Sequence, residues 1–351
     1  MDTSSHREVR SLETTRALAE NVSALIQALA NVGPALGCGP TSSKSVKSDI
    51  SLLVATSGST GTPKEIGITS AALLASARAS NKYLKASKGQ TWSLLLPLTH
   101  IAGINVLVRS IELDSEPIDL RNHVGAYPHA DFTAIVPTQL FNALNGDADL
   151  LSHLKNAQAV LVGGAALSEE LRSQAITSGI NIITTYGMTE TCGGCVYNGE
   201  ALDGVDFELT ENQRVKISGL VLADVEKENG WYLTQDLGTI VDGKLKVIGR
   251  ADDVIISGGE NISLSAIESE LNKKFPQLLV AAFATTDSKW GQALHVAVQS
   301  HDENMKEQIS QALVTTMGNH AKPKSVLLLD KLPEIGVGKV DRTSLAKLVS
   351  E

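Results

Sequence analysis

The sequence predicts an α/β fold in two unequal parts: a large N-terminal α/β lobe and a small mobile α+β C-terminal domain. Up to about residue 199, short apolar runs alternate with helical segments, which is typical of a mostly parallel sheet covered by helices. Short alternating runs follow and predict antiparallel strands added to the lobe. After residue 250 the pattern changes again to a small mixture of strands and helices. We therefore predict domains at 1–250 and 251–351.

The first elements can be taken in order. A helical spacing of apolar residues predicts an amphipathic helix, and a stretch rich in Gly, Pro and Ser then predicts a loop. A buried strand, a second extended segment and an alanine-rich helix that Ser70 caps come next. These five elements occupy residues 12–29, 33–47, 50–55, 65–69 and 70–84.

The rest of the lobe alternates strands with helices. Strands are predicted at 92–96, 132–136, 157–162 and 181–185, and helices at 104–111, 139–144 and 168–177. In parallel sheets, ligands bind beyond the carboxyl ends of the strands. Glycine-rich or polar segments follow predicted strands at 56–64, 97–103, 163–166 and 186–194. We therefore expect the ligand site along this edge.

The antiparallel strands are predicted at 205–209, 214–218, 231–233, 239–241 and 244–248. In the C-terminal part, Ser265 and Glu268 have the spacing of a capping box for a helix at 266–274. The remaining elements are strands at 279–285, 294–298 and 325–329 and helices at 305–317 and 343–348.

Composition and charge limit the partners. The 351 residues are 42% hydrophobic, as in an ordinary globular chain, and the net charge of −9 argues against nucleic acid or an anionic membrane. We expect a cytoplasmic protein without stable membrane insertion, because the opening residues are polar and no apolar run reaches about 18 residues. Cys192 and Cys195 have C-x-x-C spacing, which leaves open a redox pair or two free thiols in a glycine-rich loop; the latter fits a reducing compartment.

One segment predicts anion binding. Seven of the nine residues from Thr56 to Lys64 are Thr, Ser or Gly, so the loop offers N–H groups and hydroxyls to an anion. Lys64 adds a positive charge that suits phosphate. Pro63 directly before the lysine distinguishes the segment from a Walker A loop. The alternative is a Ser/Gly-rich surface hairpin.

Further segments carry candidate ligands. At 186–191, an aromatic residue followed by Gly could lie against a planar base, and Glu190 is a hard carboxylate that suits Mg²⁺. Asp236 could accept hydrogen bonds from ribose hydroxyls, and Arg250 could reach ribose or phosphate. Lys339, on a glycine-flexible loop, could be delivered to a transition state by domain closure. The structural alternatives are a strand exit, a turn aspartate, a linker ion pair and a surface lysine.

Together these segments resemble the adenylate-forming superfamily of acyl-CoA synthetases, peptide-synthetase adenylation domains and luciferases. The resemblance covers about residues 50–342 and rests on segments in the family's order at 56–64, 97–100, 163–165, 186–190, 234–238, 249–259 and 338–342. It implies activation of a small-molecule acid with ATP and Mg²⁺, followed by transfer to coenzyme A.

The resemblance also implies roles for individual residues. ATP phosphates would contact Thr56, Ser57, Gly58, Ser59, Thr60, Gly61, Lys64 and Thr189. Adenine and ribose would contact Gly163, Gly164, Ala165, Tyr186, Gly187, Asp236 and Arg250. The metal ligand would be Glu190, the hinge Asp252, the catalytic lysine Lys339 and the lining of the coenzyme A tunnel Gly258 and Gly259.

The short chain is most similar to a compact form of the o-succinylbenzoate–CoA ligases of menaquinone (vitamin K2) biosynthesis. His100 and Arg109 match acyl-pocket positions of that branch. Its substrate has two carboxylates: one is activated, and the other needs a cation such as Arg109. The alternative for Arg109 is a helix-surface arginine. The chain departs from the family in having Glu65 after Lys64, Gln235 before the aspartate, and no Thr-rich segment ahead of Lys339.

Three alternatives remain open at this point. The chain could be a ligase for another aryl or medium-chain acid, or an enzyme that adenylates an acid for a carrier protein. From another class, it could be a nucleotide-binding regulatory protein without catalysis, although Glu190, Asp236 and Lys339 argue against that. The sequence leaves the oligomeric state open, a homodimer included.

Overall fold

The computed structural model describes residues 6–56, 64–335 and 339–350. Within these ranges the chain forms four β-sheets with helices packed on them, which confirms the predicted α/β class. The third sheet ends at Arg250 and the fourth begins at Val254, so the change of sheet falls at the predicted domain boundary. That the two parts move separately stays a prediction. No helix in the described ranges is both long and apolar enough to cross a bilayer.

The first sheet has the strand order β3–β1–β2–β4–β5. Its strands are β1 (His6–Ser11), β2 (Ala35–Cys38), β3 (Ser45–Lys47), β4 (Ile50–Thr56) and β5 (Lys64–Thr69). The accompanying helices are α1 (Leu18–Leu29) and α2 (Ser70–Tyr83). Strands β1, β2 and β4 are parallel, and β5 returns antiparallel to β4. The buried apolar residues of β2 and β4 form one core with both helices.

Several predictions for this region were wrong. Residues 33–47 are not a loop, because the short apolar run in β2 pairs between β1 and β4, and β3 follows it. Strand β1 is polar and was missed. Helix α1 begins at Leu18, later than its apolar spacing indicated. Thr69 rather than Ser70 caps α2, since its side chain accepts a hydrogen bond from the Ala72 N–H at 3.2 Å.

The second sheet has the order β12–β11–β10–β9–β8–β6–β7. Its strands are β6 (Trp92–Leu94), β7 (Ile118–Asp119), β8 (Phe132–Ile135), β9 (Ala159–Val162), β10 (Ile182–Met188), β11 (Gly193–Tyr197) and β12 (Glu200–Ala201). Its helices are α3 (Ile101–Glu112), α4 (Pro137–Leu144), α5 (Ala148–Asn156) and α6 (Glu169–Thr177). Strands β6 to β10 are parallel, and β11 and β12 are antiparallel. Helix α5, which Asp147 caps, was not predicted.

Alternation along β9 shows how helices cover both faces of this sheet. Ala159 and Leu161 join the core formed with α1, α2 and α3. Val160 and Val162 join a second core with α4, α5 and α6. A strand buried on both faces is apolar at every position, which is why these strands could be predicted from the sequence.

The third sheet is antiparallel and contains β13 (Val205–Leu209), β14 (Arg214–Gly219), β15 (Trp231–Val241) and β16 (Lys244–Arg250). Strand β15 runs without a break through Asp236, so the prediction of two short strands with this aspartate at a strand end was wrong. A register shift between Leu237 and Gly238 lets β15 keep pairing with β16 on both sides of the irregularity.

The fourth sheet has the order β18–β17–β20–β19, with β21 beside β20. Its strands are β17 (Val254–Ser257), β18 (Glu260–Ser263), β19 (Val280–Asp287), β20 (Gly291–Gln299) and β21 (Ser325–Leu329). Its helices are α7 (Leu264–Lys274), α8 (Asn304–Met317) and α9 (Arg342–Ser350). Buried residues of β19 and β20 form one core with α7 and α8 and another with α9.

The predicted capping box of α7 was wrong. Ser263 caps the helix, and its Oγ accepts from the Ala266 N–H at 3.2 Å. Ser265 instead donates to Asp253 at 2.5 Å. Glu268 accepts from the Ala282 N–H at 2.9 Å and therefore faces β19 rather than the helix start.

The three cysteines are free and buried, and burial raises the pKa of Cys38 and of Cys195 to about 12. Free thiols are thus confirmed; the predicted loop position was wrong for Cys195, which lies in β11, whereas Cys192 lies in the turn directly before that strand. We expect none of the three to react with a disulfide reagent at about pH 8 while the protein is folded, since thiolates are the reactive form. Chain unfolded in guanidinium should titrate all three, and rapid labelling of the folded protein would contradict this burial.

Candidate active site

Strands β4 and β5 enclose the segment predicted to bind phosphate. Thr56 pairs with Lys64, and the Thr56 hydroxyl donates to the Lys64 carbonyl at 3.0 Å. The segment leaves the carboxyl end of β4, where ligands are bound in parallel sheets. The predicted phosphate contacts at Ser57, Gly58, Ser59, Thr60 and Gly61 lie outside the described residues and stay predictions.

A carboxylate anchors the base of this hairpin. Glu65, directly after Lys64, accepts hydrogen bonds from both the backbone N–H and the hydroxyl of Ser42 and of Ser43. Burial opposes its ionisation, but the hydrogen bonds from Ser43 and Ser42 outweigh that effect and lower the pKa of Glu65. The residue that departs from the family's glycine therefore ties the chain after β2 to the start of β5.

The residues predicted to flank adenine meet where β9 and β10 end. A Cβ at Gly163 would lie 2.1 Å from the Thr185 Oγ1, and one at Gly187 would lie 2.0 Å from the Gly193 carbonyl oxygen. Both positions therefore require glycine, and Tyr186 lies within β10 directly before Gly187. Directly after Gly163 come Gly164, with φ of 84°, and the exposed Ala165.

Asp236 lies at the centre of a chain of polar contacts. Its Oδ2 accepts from the Tyr186 hydroxyl at 2.8 Å, and its Oδ1 lies 3.6 Å from Arg250 Nη1. Arg250 also forms two hydrogen bonds of 2.8 Å with Asp252. Burial, followed by the Asp236 charge, raises the pKa of Tyr186, so the phenol is a neutral donor. The structure thus brings together the predicted ribose ligands and the predicted hinge.

The predicted metal ligand lies nearby. Thr189 and Glu190 occupy a short 3₁₀ turn after β10, and both are half-buried. Tyr232 of β15 lies beside Glu190: burial, then the charges of Glu190 and Asp236, raise the pKa of Tyr232 to about 12. In the described ranges no three His, Cys, Asp or Glu side chains could together hold a metal. One carboxylate nevertheless fits Mg²⁺, which keeps several waters and takes substrate phosphates as ligands.

The two predicted acyl-pocket residues stand at opposite ends of α3. His100 precedes its first turn, and Arg109 is only 4% exposed, so the helix-surface alternative was wrong. Arg109 Nη2 donates to the Tyr197 hydroxyl at 3.1 Å, and the guanidinium lies 4.9 Å from the centre of the Trp92 ring. Its Nε is buried without a partner, and no ion pair among the described residues involves it. A buried cation without a carboxylate is costly.

Lys339 is held on a hairpin of the C-terminal part. Glu334 pairs with Val340, and the Ile335 N–H donates to the Lys339 carbonyl at 2.7 Å. Partial burial, and then the positive charge of Lys339, lower the pKa of His100. The exposed ammonium group therefore lies within electrostatic range of a residue of the large lobe.

The predicted coenzyme A residues form the turn between β17 and β18. Gly258 and Gly259 have φ of 59° and 87°, in the left-handed region that favours glycine. A Cβ at Gly258 would lie 2.7 Å from the Trp290 ring, which is itself 50% exposed. The described contacts join this turn to Trp290 rather than to the nucleotide residues.

Sequence reasoning missed Glu65, Tyr197 and Tyr232 as residues of this site. A signal existed for Tyr232, because residues two apart on a strand share a face and Tyr232, Thr234 and Asp236 are so spaced. For Tyr197 and Glu65 the sequence offered no signal, since their partners lie far away along the chain.

Comparisons with known proteins agree with this geometry. The profile of the family described as AMP-binding enzyme matches residues 3–227. A probable 2-succinylbenzoate–CoA ligase of Mycobacterium tuberculosis is 34% identical over 92% of this chain and 94% of its own length. The 2-succinylbenzoate–CoA ligase of Escherichia coli is 29% identical over 84% of this chain and 68% of its own.

Solved structures are similar as well. A variant of E. coli MenE with bound OSB-AMS is 25% identical, with a TM-score of 0.71, over 86% of this chain and 68% of that one. The o-succinylbenzoate CoA synthetase (MenE) of Bacillus subtilis, in complex with the acyl-adenylate intermediate OSB-AMP, has a TM-score of 0.73 at 22% identity, over 96% and 82%. The latter likeness establishes the fold alone.

The anchor at Glu65 predicts a pH-dependent stability. Because its pKa is lowered in the folded chain, its contribution is present above about pH 4.5 and is lost as the pH falls through the folded-state value. We expect Glu65→Gln to lower the free energy of unfolding by about 1–2 kcal/mol near neutral pH. The difference from the unmodified protein should shrink below about pH 4, as measured by urea unfolding across pH. A difference independent of pH would contradict the role of the ionised carboxylate.

Proposed function

Because this chain belongs to the AMP-binding enzyme family, we propose that it is an AMP-forming acid–CoA ligase that converts o-succinylbenzoate to o-succinylbenzoyl-CoA in menaquinone biosynthesis. The observation that carries this proposal is that the positive charge of Lys339 acts on His100, at the head of the helix that contains Arg109. A cation, a nucleotide-binding carboxylate and an acyl site then belong to one reaction centre.

The first half-reaction forms an acyl-adenylate. A carboxylate oxygen of the acid attacks the α-phosphorus of ATP, the bond to the β-phosphate oxygen breaks, and pyrophosphate leaves with the electron pair. Asp236 accepts the ribose hydroxyls in exchange for its present partners, and Tyr186 lies along adenine. Lys339 stabilises the negative charge that builds on the non-bridging oxygens. Mg²⁺ held by Glu190 would add charge neutralisation at the phosphates.

The second half-reaction forms the thioester. The coenzyme A thiol loses its proton and attacks the acyl carbon, a carbon–sulfur bond forms, and AMP leaves with the oxygen. Lys339 would occupy space that the thiol needs. Asp252 lies between the third and fourth sheets and is the proposed hinge, so rotation there would remove Lys339 and bring in the turn at Gly258 and Gly259.

Arg109 supports the choice of a dicarboxylic acid. Its guanidinium is buried, has an unpartnered Nε and has no carboxylate among its described contacts. A substrate with a second carboxylate would supply that partner, directly or through water. A monocarboxylic acid would leave the cation uncompensated, which is a strong basis for selectivity.

Pyrophosphate exchange with a panel of acids tests the proposal against its rivals. We expect exchange with o-succinylbenzoate to exceed that with benzoate and fatty acids. Preference for another acid would favour a different ligase, and exchange without coenzyme A transfer would favour a carrier-protein partner. Absence of exchange with every acid would favour a non-catalytic nucleotide-binding protein and end the proposal.

The position of Lys339 predicts that the half-reactions can be separated. We expect Lys339→Ala to slow acid-dependent pyrophosphate exchange by about 10²–10³-fold or more, because the transition-state cation is lost. Thioester formation from synthetic acyl-adenylate and coenzyme A should stay nearly unchanged. Lys331→Ala, in the bend between β21 and the same hairpin, is the control. Equal loss of both half-reactions would contradict a role confined to adenylation.

Because the charge of Arg109 has no carboxylate partner among the described residues, its loss should reduce activity towards a dicarboxylic acid more than towards a monocarboxylic acid. We expect Arg109→Met to lower kcat/KM for o-succinylbenzoate by about 10–100-fold, since a charge-assisted contact is lost. Activity towards benzoate, however weak, should change little. Arg78→Met, which removes an exposed arginine of α2 paired with Glu112, is the matched control. An equal fractional loss of kcat/KM for both acids would show that Arg109 does not bind the second carboxylate.

A further inference from the structure

Arg342 joins three parts of the C-terminal domain. Its Nη1 donates to Asp253 Oδ1, and its Nη2 donates to Glu268 Oε1 at 2.9 Å. Ser265 donates to the other oxygen of Asp253 at 2.5 Å, and the Ala282 N–H donates to Glu268 at 2.9 Å. The side chains of Asp253 and Glu268 are 11% and 24% exposed, so this cluster lies largely below the surface.

The cluster acts directly on the chain around Lys339. Arg342 is three residues further along and opens α9, which Asp341 caps through hydrogen bonds to the Ser344 N–H and hydroxyl at 3.0 and 2.7 Å. The Asp341 N–H donates to the Pro333 carbonyl at 2.8 Å. The lysine hairpin is therefore closed at its base, and Arg342 ties that base to the body of the domain.

The same cluster also reaches the hinge. Asp253 is the direct neighbour of Asp252, and both lie in the 3₁₀ turn between the third and fourth sheets. Asp252 pairs with Arg250 on the side of the large lobe, while Asp253 pairs with Arg342 on the side of the small domain. Two adjacent carboxylates thus pair with the two sides of the proposed hinge.

We infer that Arg342 is a positioning residue for adenylation: by clamping the base of the lysine hairpin to Asp253 and Glu268, it fixes where Lys339 stands relative to the hinge. This inference rests on the proposed function. A rotation at Asp252 then carries the lysine as part of a rigid body, so that closure delivers the ammonium group to one place. Without the clamp, the hairpin keeps its sequence and its lysine but loses its defined orientation.

The charges indicate that the clamp is more than a general stabiliser. Burial raises the pKa of Glu268, and the Arg342 charge opposes this increase. A buried ion pair is a weak source of net stability, because the cost of removing both charges from water offsets their attraction. We therefore assign this ion pair a role in fixing one conformation, namely the orientation of the hairpin.

The test uses the full chain and measures each half-reaction separately. We expect Arg342→Met to lower the kcat of acid-dependent pyrophosphate exchange about 10–100-fold with little change in the KM for ATP. The reason is that displacing a catalytic group by about 1 Å can lower a reaction rate by that factor. Thioester formation from synthetic acyl-adenylate and coenzyme A should remain within about threefold. Arg342→Lys should restore part of the exchange rate.

The control is Lys324→Met, which breaks the 2.8 Å pair with Asp287 elsewhere in the same domain and should leave both half-reactions unchanged. Hydrogen exchange of peptides covering 331–345, measured without substrates, adds a readout that does not depend on activity. It should accelerate in Arg342→Met and recover partly in Arg342→Lys, and Glu268→Gln provides a milder break if Arg342→Met does not fold.

These experiments distinguish a failure of the positioning role of Arg342 from a failure of the proposed function. Unchanged hydrogen exchange in the folded variants, or equal loss of both half-reactions, would overturn the positioning role. Failure of the unmodified chain to exchange pyrophosphate with any acid would instead remove the proposed function, while accelerated hydrogen exchange alone would still support the mechanical link.

Discussion

Arg250 holds two carboxylates at once, and the arrangement of the site depends on this double contact. On one side it faces Asp236, a buried residue of the third sheet that also accepts from Tyr186. On the other side it pairs with Asp252 in the turn that leads to the fourth sheet. Because Arg250 pairs with both Asp236 of β15 and Asp252 of the 3₁₀ turn, it restricts the orientation of that turn relative to the strand. The predicted ribose ligand Asp236 and the predicted hinge Asp252 are therefore linked by one guanidinium.

The link continues through the backbone into the small domain. From Asp252 the chain passes to Asp253, whose partner Arg342 follows Lys339 by three residues in the sequence. Side-chain contacts thus link Tyr186 of the second sheet to Asp236 of the third, and Arg250 extends the link to Asp252 in the turn before the fourth sheet. This continuity relates the large lobe to the lysine without requiring a broad interface between them.

Elements that depend on local sequence could be predicted, whereas elements that depend on partners far away in the chain could not. Strands such as β9 are apolar throughout because both faces are buried, so local sequence revealed them. The polar strand β1 gave no such signal, since its pairing with β2 and β3 defines it. Caps shifted by one or two positions where neighbouring hydroxyl residues compete, as at Thr69 and Ser70.

Functional residues followed the same rule. Motif spacing predicted Tyr186, Asp236 and Arg250 as site residues, but the contact between Tyr186 and Asp236 joins strands whose residues are 50 positions apart. The burial of Arg109 could not be foreseen, because its partner Tyr197 is 88 residues away. Glu65 looked like a simple departure from a family pattern until Ser42 and Ser43 were found on its carboxylate.

The buried guanidinium of Arg109 in α3 has a thermodynamic consequence for folding. A buried charge without a carboxylate partner among the described residues offsets part of the free energy that folds the lobe, so the lobe is less stable than its packing alone would allow. A ligand that neutralises the charge removes this destabilisation when it binds. Tighter binding is then accompanied by a higher melting temperature of the protein. Supply of the acid would in this way regulate how long each copy survives unfolding and proteolysis.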